Sequence, residues 1–354
     1  MLRTDTFTYA EILDQPRAWR ETLRELPSLW EQAGSVADLR GADVVVPVGC
    51  GSSYYLSLVT AYALRVVAGS LAEAQPASEL LLHEPAVFLP GRRYLVLGIS
   101  RSGETTETTL ALGQARERKL GGTVAITCTP NSSITRAADA RIVLPEAQER
   151  SVVMTKSFNT MLFALQYWIS QAAGASAMQA ELARLPDALD AALERFAGAM
   201  AELGGAPGLS SYVFLGGGAC YGIACEAALK VKEMAGLASA AFHPLEFRHG
   251  PISVVAPGTL VTWFVSDEAE AREAELLPEL KRLGARILVL AEHEREGIQR
   301  HADVAVALGS GLSSLVRLPL YLALAQLLAY ASTVSRGLDP DRPKNLTQVV
   351  RLNG

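Results

Sequence analysis

Between Glu226 and Pro251 the chain reads EAALKVKEMAGLASAAFHPLEFRHGP, which sets Glu226, Lys230 and Glu233 on a predicted helix and delivers His249 in a turn-like His-Gly-Pro. At about 3.6 residues per turn, positions i, i+4 and i+7 share one helix face, so two carboxylates and an ammonium project into one space. A carboxylate base and an imidazole that titrates near neutrality are acid/base equipment. The same spacing also fits a solvated face bearing a Glu–Lys pair, worth only a few tenths of a kcal/mol.

A second kind of chemistry is suggested by Ser100-Arg101-Ser102-Gly103-Glu104-Thr105, which follows an apolar run and opens a helix. Hydroxyls, a glycine allowing close backbone approach and unpaired N–H groups at a helix N-terminus form a cradle for an anion, and Arg101 adds charge. The alternative is an N-cap turn with Ser102 as cap and no ligand. Gly49-Cys50-Gly51-Ser52-Ser53 also follows an apolar run, but it lacks the GxGxxG of a dinucleotide site. Ser151–Thr160, SVVMTKSFNT, concentrates hydroxyls, an amide and Lys156 just before a long apolar helix, a density that capping explains only in part.

These residues need a scaffold, and the hydrophobic pattern supplies one. Residues 1–40 read as helices, with Tyr9–Leu23 amphipathic and broken by Pro16. Val44–Val48, Tyr94–Ile99, Thr123–Thr127 and Ile142–Leu144 are nearly continuous apolar runs separated by helical segments, the pattern of parallel strands covered on both faces. The order then recurs in Tyr212–Leu215, Leu260–Val265, Arg286–Leu290 and Val304–Leu308. A period of about 170 residues is too long for a solenoid repeat and implies two copies of one α/β domain. The joint is expected between Ala172 and Gly205. The place equivalent to the Ser100 loop reads Ser266-Asp267-Glu268-Ala269 in the second copy, whose carboxylates would repel a phosphate.

Composition narrows the classes. A chain of 354 residues with 49% hydrophobic and 19% charged residues is globular, and a net charge of −5 argues against general attraction to nucleic acid or a membrane surface. Cys50, Cys128, Cys220 and Cys225 have neither zinc-site nor secreted spacing, so a reducing cytoplasm is expected, with no metal or cofactor. Met1–Arg20 lacks the apolar core of a signal peptide. Leu318–Ala331 contains Pro319 and is too short to span a bilayer, so it is expected to be a buried or interface helix.

Taken together, these motifs resemble the sugar isomerase (SIS) domain family. The likeness runs through Glu11–Pro16, Gly49–Tyr54, Ser100–Thr108, Met154–Thr160, Glu226–Pro251 and the tail Ser335–Leu346. Within the family it is greatest to double-domain members, the isomerase half of glucosamine-6-phosphate synthase and SIS-type glucosamine-6-phosphate deaminases. The resemblance implies two tandem flavodoxin-like or Rossmann-like SIS domains, each a parallel sheet between helices. The expected division is 1–40 as N-terminal helices, 41–185 as the first domain, 186–338 as the second and 339–354 as an ordered tail closing the site.

The resemblance also implies roles. Ser53, Ser100, Arg101, Ser102 and Thr105 fall on positions that hold a sugar phosphate, and Val152 and Met154 on a segment that touches the sugar. Glu233 falls on the base that moves a proton between C1 and C2, with Glu226 and Lys230 flanking it. His249 falls on a ring-opening histidine that reaches the site from the partner subunit, so a homodimer is implied. In the tail, relatives carry a lysine that can form an imine with the ketose carbonyl, where Pro343-Lys344-Asn345-Leu346-Thr347-Gln348 has Gln348. An amide is not such a nucleophile, and Lys344 would serve only if the tail shifted. The chain begins Met1-Leu2-Arg3, without an N-terminal cysteine nucleophile or room for a glutaminase, so amino-sugar synthesis from glutamine is not expected. The function expected first is a glucosamine-6-phosphate deaminase/isomerase. A fructosamine-6-phosphate deglycase, a simple aldose–ketose isomerase and a non-catalytic sugar-phosphate sensor are the alternatives.

Overall fold

The structure, a computed structural model, describes residues 4–350 and 352. Among them, 14–186 with 347–350 and 352 form one compact unit, and 4–13 with 187–346 the other.

The first unit is built on five strands, β1 (Val44–Gly49), β2 (Gln75–Pro76), β3 (Tyr94–Ile99), β4 (Gly121–Thr127) and β5 (Ala140–Val143). All are parallel, in the order β2-β1-β3-β4-β5. Every residue of β3 is buried, as a central strand between two helical layers requires. Alternate residues serve alternate faces: Val46, Val48 and Val96 pack with Ala111, Leu112 and Ala115 of the helix Thr106–Glu117. The other layer holds the helices Ser52–Ala68, Lys156–Ala172 and Gln15–Ala33. Trp30 stacks on Trp168 at 5.0 Å and Trp19 on Phe163 at 6.0 Å, contacts worth about 0.5–1.5 kcal/mol each beyond their burial.

The second unit repeats this plan with β6 (Ser211–Gly216), β7 (Ala238–Phe242), β8 (Thr259–Phe264), β9 (Arg286–Ala291) and β10 (Val304–Ala307). The order β10-β9-β8-β6-β7, again all parallel, is the first sheet's order read from its other edge. All eight strands read from hydrophobicity are present, and the edge strands β2 and β7 complete the sheets. The helix Leu318–Val334 is buried from Leu318 to Thr333, and Pro319 is accommodated in its first turn, where a missing N–H costs nothing. No helix among the described residues is long and apolar enough to cross a membrane.

The N-terminal helices divide at Asp14: Phe7–Leu13 lies in the second unit and Gln15–Ala33, with Pro16 in its first turn, in the first. Asp341 receives the backbone N–H groups of Phe7 and Thr8 at 2.8 Å and the Thr8 hydroxyl at 2.7 Å. It satisfies from the far end of the chain donors that a helix start leaves open.

Candidate functional site

In the order 2-1-3-4-5, the connections leaving β1 and β3 run to opposite sides, and the crevice between their C-terminal ends is where such sheets take ligands. The loop after β1 leads into the helix Ser52–Ala68, with Ser53 buried in its first turn and a glycine, Gly51, at the N-cap. The chain turns so tightly here that a Cβ on Gly49 would sit 2.6 Å from that of Ser53. The loop after β3 is Ser100–Thr105. Ser100 Oγ shares a hydrogen bond with Thr105 Oγ1 at 3.1 Å and accepts the N–H of Gly103 at 3.1 Å. Gly103 has φ +66°, and a Cβ there would meet Ser132 Oγ at 2.1 Å, so only glycine fits. Thr105 is the N-cap of Thr106–Glu117, with no side-chain cap bond. Ser102 accepts the N–H of Glu104 at 3.2 Å and stays half-buried. Two helix N-termini and the hydroxyls of Ser100, Ser102 and Thr105 therefore lie at the switch point, an arrangement that can take an anion.

Arg101 is committed elsewhere in the same unit. Its guanidinium donates to the carbonyls of Val152 at 2.8 Å, Ser151 at 3.4 Å and Gln348 at 3.2 Å, and lies 3.4 Å from Glu149 Oε2. It ties the loop after β3 to the segment before Lys156–Ala172, and the charge assigned to it in the cradle is largely spent on these partners. The second unit has the same tie with the charges exchanged. Asp267, after β8, pairs with Arg317 at 2.5 Å, and Arg317 is the wholly buried N-cap of Leu318–Val334. Arg317 also donates to Leu312 O at 3.0 Å and Tyr321 Oη at 3.0 Å. Where the first unit offers hydroxyls to an anion, the second has a carboxylate of its own, Asp267, already paired with Arg317.

Val152 and Met154 are half-buried while Ser151 and Val153 between and beside them are buried, so the extended segment presents every second residue. Lys156 pairs with Asp14 at 2.9 Å and is scaffold. A cavity of about 240 Å³ is lined by Arg101, Ser102, Cys128, Thr129, Gln148, Glu149 and Gln348. Larger cavities, of about 470 and 400 Å³, lie at the N-terminal ends of the second sheet's strands, away from where these sheets take ligands.

In the second unit the helix Cys220–Ala235 aligns Glu226, Lys230 and Glu233. Lys230 Nζ lies 3.1 Å from Glu226 Oε1 and 2.5 Å from Glu233 Oε2. Lys230 and Glu226 are wholly buried, whereas the Glu233 side chain is 19% exposed. Burial works against the lysine's charge, but the two carboxylates outweigh it and hold Lys230 above its ordinary value. The solvated-face alternative is thereby excluded: this is a buried ion triplet with one carboxylate edge open.

His249 is exposed, its backbone N–H bound to Glu246 O at 3.0 Å, and its ring has no hydrogen-bond partner among the described residues. Lys344 is exposed. Gln348 is exposed but anchored, its Nε2 donating to the Glu149 carbonyl at 3.1 Å. Glu149 itself carries no spacing signal in PEAQERS, and sequence reasoning missed it.

The SIS domain family model matches residues 38–170 and 210–336. The chain is 31% identical over 98% of its length to the glutamine–fructose-6-phosphate aminotransferase [isomerizing] of Methanothermobacter thermautotrophicus. It spans 58% of that protein. Glucosamine-6-phosphate deaminase from Thermotoga maritima is 31% identical, with a TM-score of 0.76 over 98% of this chain and 100% of that one. Tagatose-6-phosphate ketose/aldose isomerase from Escherichia coli has a TM-score of 0.86 at 26% identity, covering 96% of this chain and 95% of that one.

Proposed function

Because the chain belongs to the SIS domain family, we propose that it is an amino-sugar-phosphate deaminase/isomerase that converts glucosamine 6-phosphate to fructose 6-phosphate and ammonia. The observation that carries this reading is the Glu226–Lys230–Glu233 triplet, a buried ion cluster with a single carboxylate edge open, which suits a base. The full-length likeness to a glucosamine-6-phosphate deaminase supports the substrate class.

In this reading Ser53, Ser100, Ser102 and Thr105 hold the phosphate, Arg101 supports their loop, and Val152 and Met154 touch the sugar. His249, from the partner subunit of a homodimer, assists ring opening. Glu233 takes the C2 proton from the open-chain aldehyde and returns it to C1. The C2–H bond breaks, a C1–H bond forms, and the C1 carbonyl oxygen becomes a hydroxyl by gaining a proton equivalent to the one the 2-amino nitrogen loses as it becomes a ketimine. Water adds across the C=N bond and ammonia leaves, giving the ketose. No protein imine is required, which suits Gln348 where relatives carry a lysine. Glu226 and Lys230 orient the base. Four free cysteines fit a reducing compartment such as the cytoplasm.

The likeness to a tagatose-6-phosphate ketose/aldose isomerase favours, as a second reading, simple isomerisation without loss of nitrogen. A panel of purified reactions separates the outcomes. Ammonia with fructose 6-phosphate from glucosamine 6-phosphate supports the proposal. Ketose phosphate from aldose phosphates alone supports the second reading, and free amino acid from fructosamine 6-phosphates supports a deglycase. Failure to release ammonia and ketose phosphate from any hexosamine 6-phosphate removes the first reading.

A further inference from the structure

The segment 151–154 is held by a residue with no place in the mechanism above. The Glu149 side chain is wholly buried, and its carboxylate receives five donors. Oε1 accepts the Thr155 N–H at 2.8 Å, the Thr155 hydroxyl at 2.7 Å and the Ser157 N–H at 3.1 Å. Oε2 accepts the Ser157 hydroxyl and lies 3.4 Å from Arg101 Nη1. A carboxylate offers about four lone-pair sites, so this one is saturated and has none left for a substrate.

Its partners define its task. Thr155 is the N-cap of Lys156–Ala172 but makes no side-chain cap bond of its own. Glu149 replaces that cap from six residues upstream, binding the second helical N–H and the Thr155 N–H together. Residues 150–154 are therefore a short loop pinned at both ends. Inside it, the Ser151 hydroxyl donates to Val153 O at 2.9 Å, and Arg101, beside Glu149, binds the Val152 carbonyl. That pinning turns Val152 and Met154 outward while Ser151 and Val153 stay buried. The tail uses the same anchor, since Gln348 binds the Glu149 carbonyl and receives Arg101.

We infer that Glu149 is a positioning residue: it fixes the Val152–Met154 segment and, with Arg101, joins that segment to the Ser100–Thr105 loop and the tail. The inference rests on the reading of Val152 and Met154 as sugar contacts. Glu149→Gln replaces one acceptor with an amide donor aimed at other donors, at nearly unchanged volume. Amide hydrogen exchange in residues 151–157 should accelerate at least about tenfold while that of β3 and Cys220–Ala235 stays as in the wild type. The affinity for fructose 6-phosphate should fall about tenfold and that for inorganic phosphate should not change, because the bonds that hold the Ser100 and Ser102 hydroxyls do not involve Glu149. If the variant does not fold, Ser157→Ala, which removes one donor and leaves the acid, should give the same pattern in weaker form. Wild-type exchange at 151–157, or equal losses for phosphate and fructose 6-phosphate, would overturn the inference. Absence of fructose 6-phosphate binding in the wild-type protein counts against the proposed function, while the exchange measurement still reads the hold of Glu149 on the segment.

Discussion

Lys230 Nζ sits 2.5 Å from Glu233 Oε2 with the lysine side chain fully buried and the glutamate side chain 19% exposed. With Glu226 also buried against the lysine, the triplet has two formal negative charges and one positive, and the only edge open to a ligand belongs to Glu233. A helix that spaces these residues four and three apart aligns them, and packing of that helix against Leu318–Val334 buries the lysine between them.

Glu233→Gln should keep the binding of glucosamine 6-phosphate and lower kcat about 10²–10⁴-fold, the usual worth of a general base. Steady-state ammonia release and an equilibrium binding measurement on the same variant check it. A normal kcat would remove Glu233 from the base role.

Lys230→Met should be costly to the fold. It leaves Glu226 buried and facing Glu233 without a cation, and breaking one partner out of a buried pair typically costs about 3–5 kcal/mol. Urea unfolding should show the midpoint falling with little change in slope. A midpoint close to the wild type would mean that the carboxylates had found other compensation.

Asp267→Asn tests the second unit's tie. Burial pushes the Asp267 carboxyl up, but Arg317 outweighs it and holds it below its ordinary value. A lowered carboxylate contributes stability that is present above its unfolded value, near 3.8, and is lost as pH falls through the lower folded value. The variant should be less stable at pH 7 by about 1–2 kcal/mol, reduced from the buried-pair range because Asp267 is 44% exposed. Thermal unfolding at pH 7 and pH 3 should show the gap between wild type and variant narrowing at the lower pH. An equal gap at both would assign it to something other than this charge.

The shared site in the proposed function has its own check. Glu233→Gln and His249→Ala should each have strongly reduced activity, and mixing them under conditions of subunit exchange should restore part of it in hybrid dimers. Exchange without recovery would place both residues' work within one subunit or outside catalysis.

Much of this was legible in the sequence because it is local or periodic. Eight apolar runs became eight strands, and the i, i+4, i+7 spacing at Glu226 became the buried triplet. What stayed hidden depends on distant chain. Gln75–Pro76 is two residues long with a proline, and Ala238–Phe242 is mostly small residues, partly exposed at a sheet edge, so neither carries a strand pattern. Nothing local to Arg101 announces its bonds to the carbonyls of Ser151 and Val152, which folding brings to it from some fifty residues on. Glu149 is one acid among several until Thr155 and Ser157 turn back onto it.

The exchanged ends of the chain have a consequence for how this duplication can be taken apart. Residues 4–13 belong with 187–346, latched by Asp341, and Gln348 belongs with 14–186. Severing the helix Ser176–Gly204 at Pro186 would strand each terminal segment on the wrong fragment, so neither repeat is a separable module. Each copy is completed by a segment from the far end of the chain, and a gene that inherits one repeat alone inherits an incomplete part.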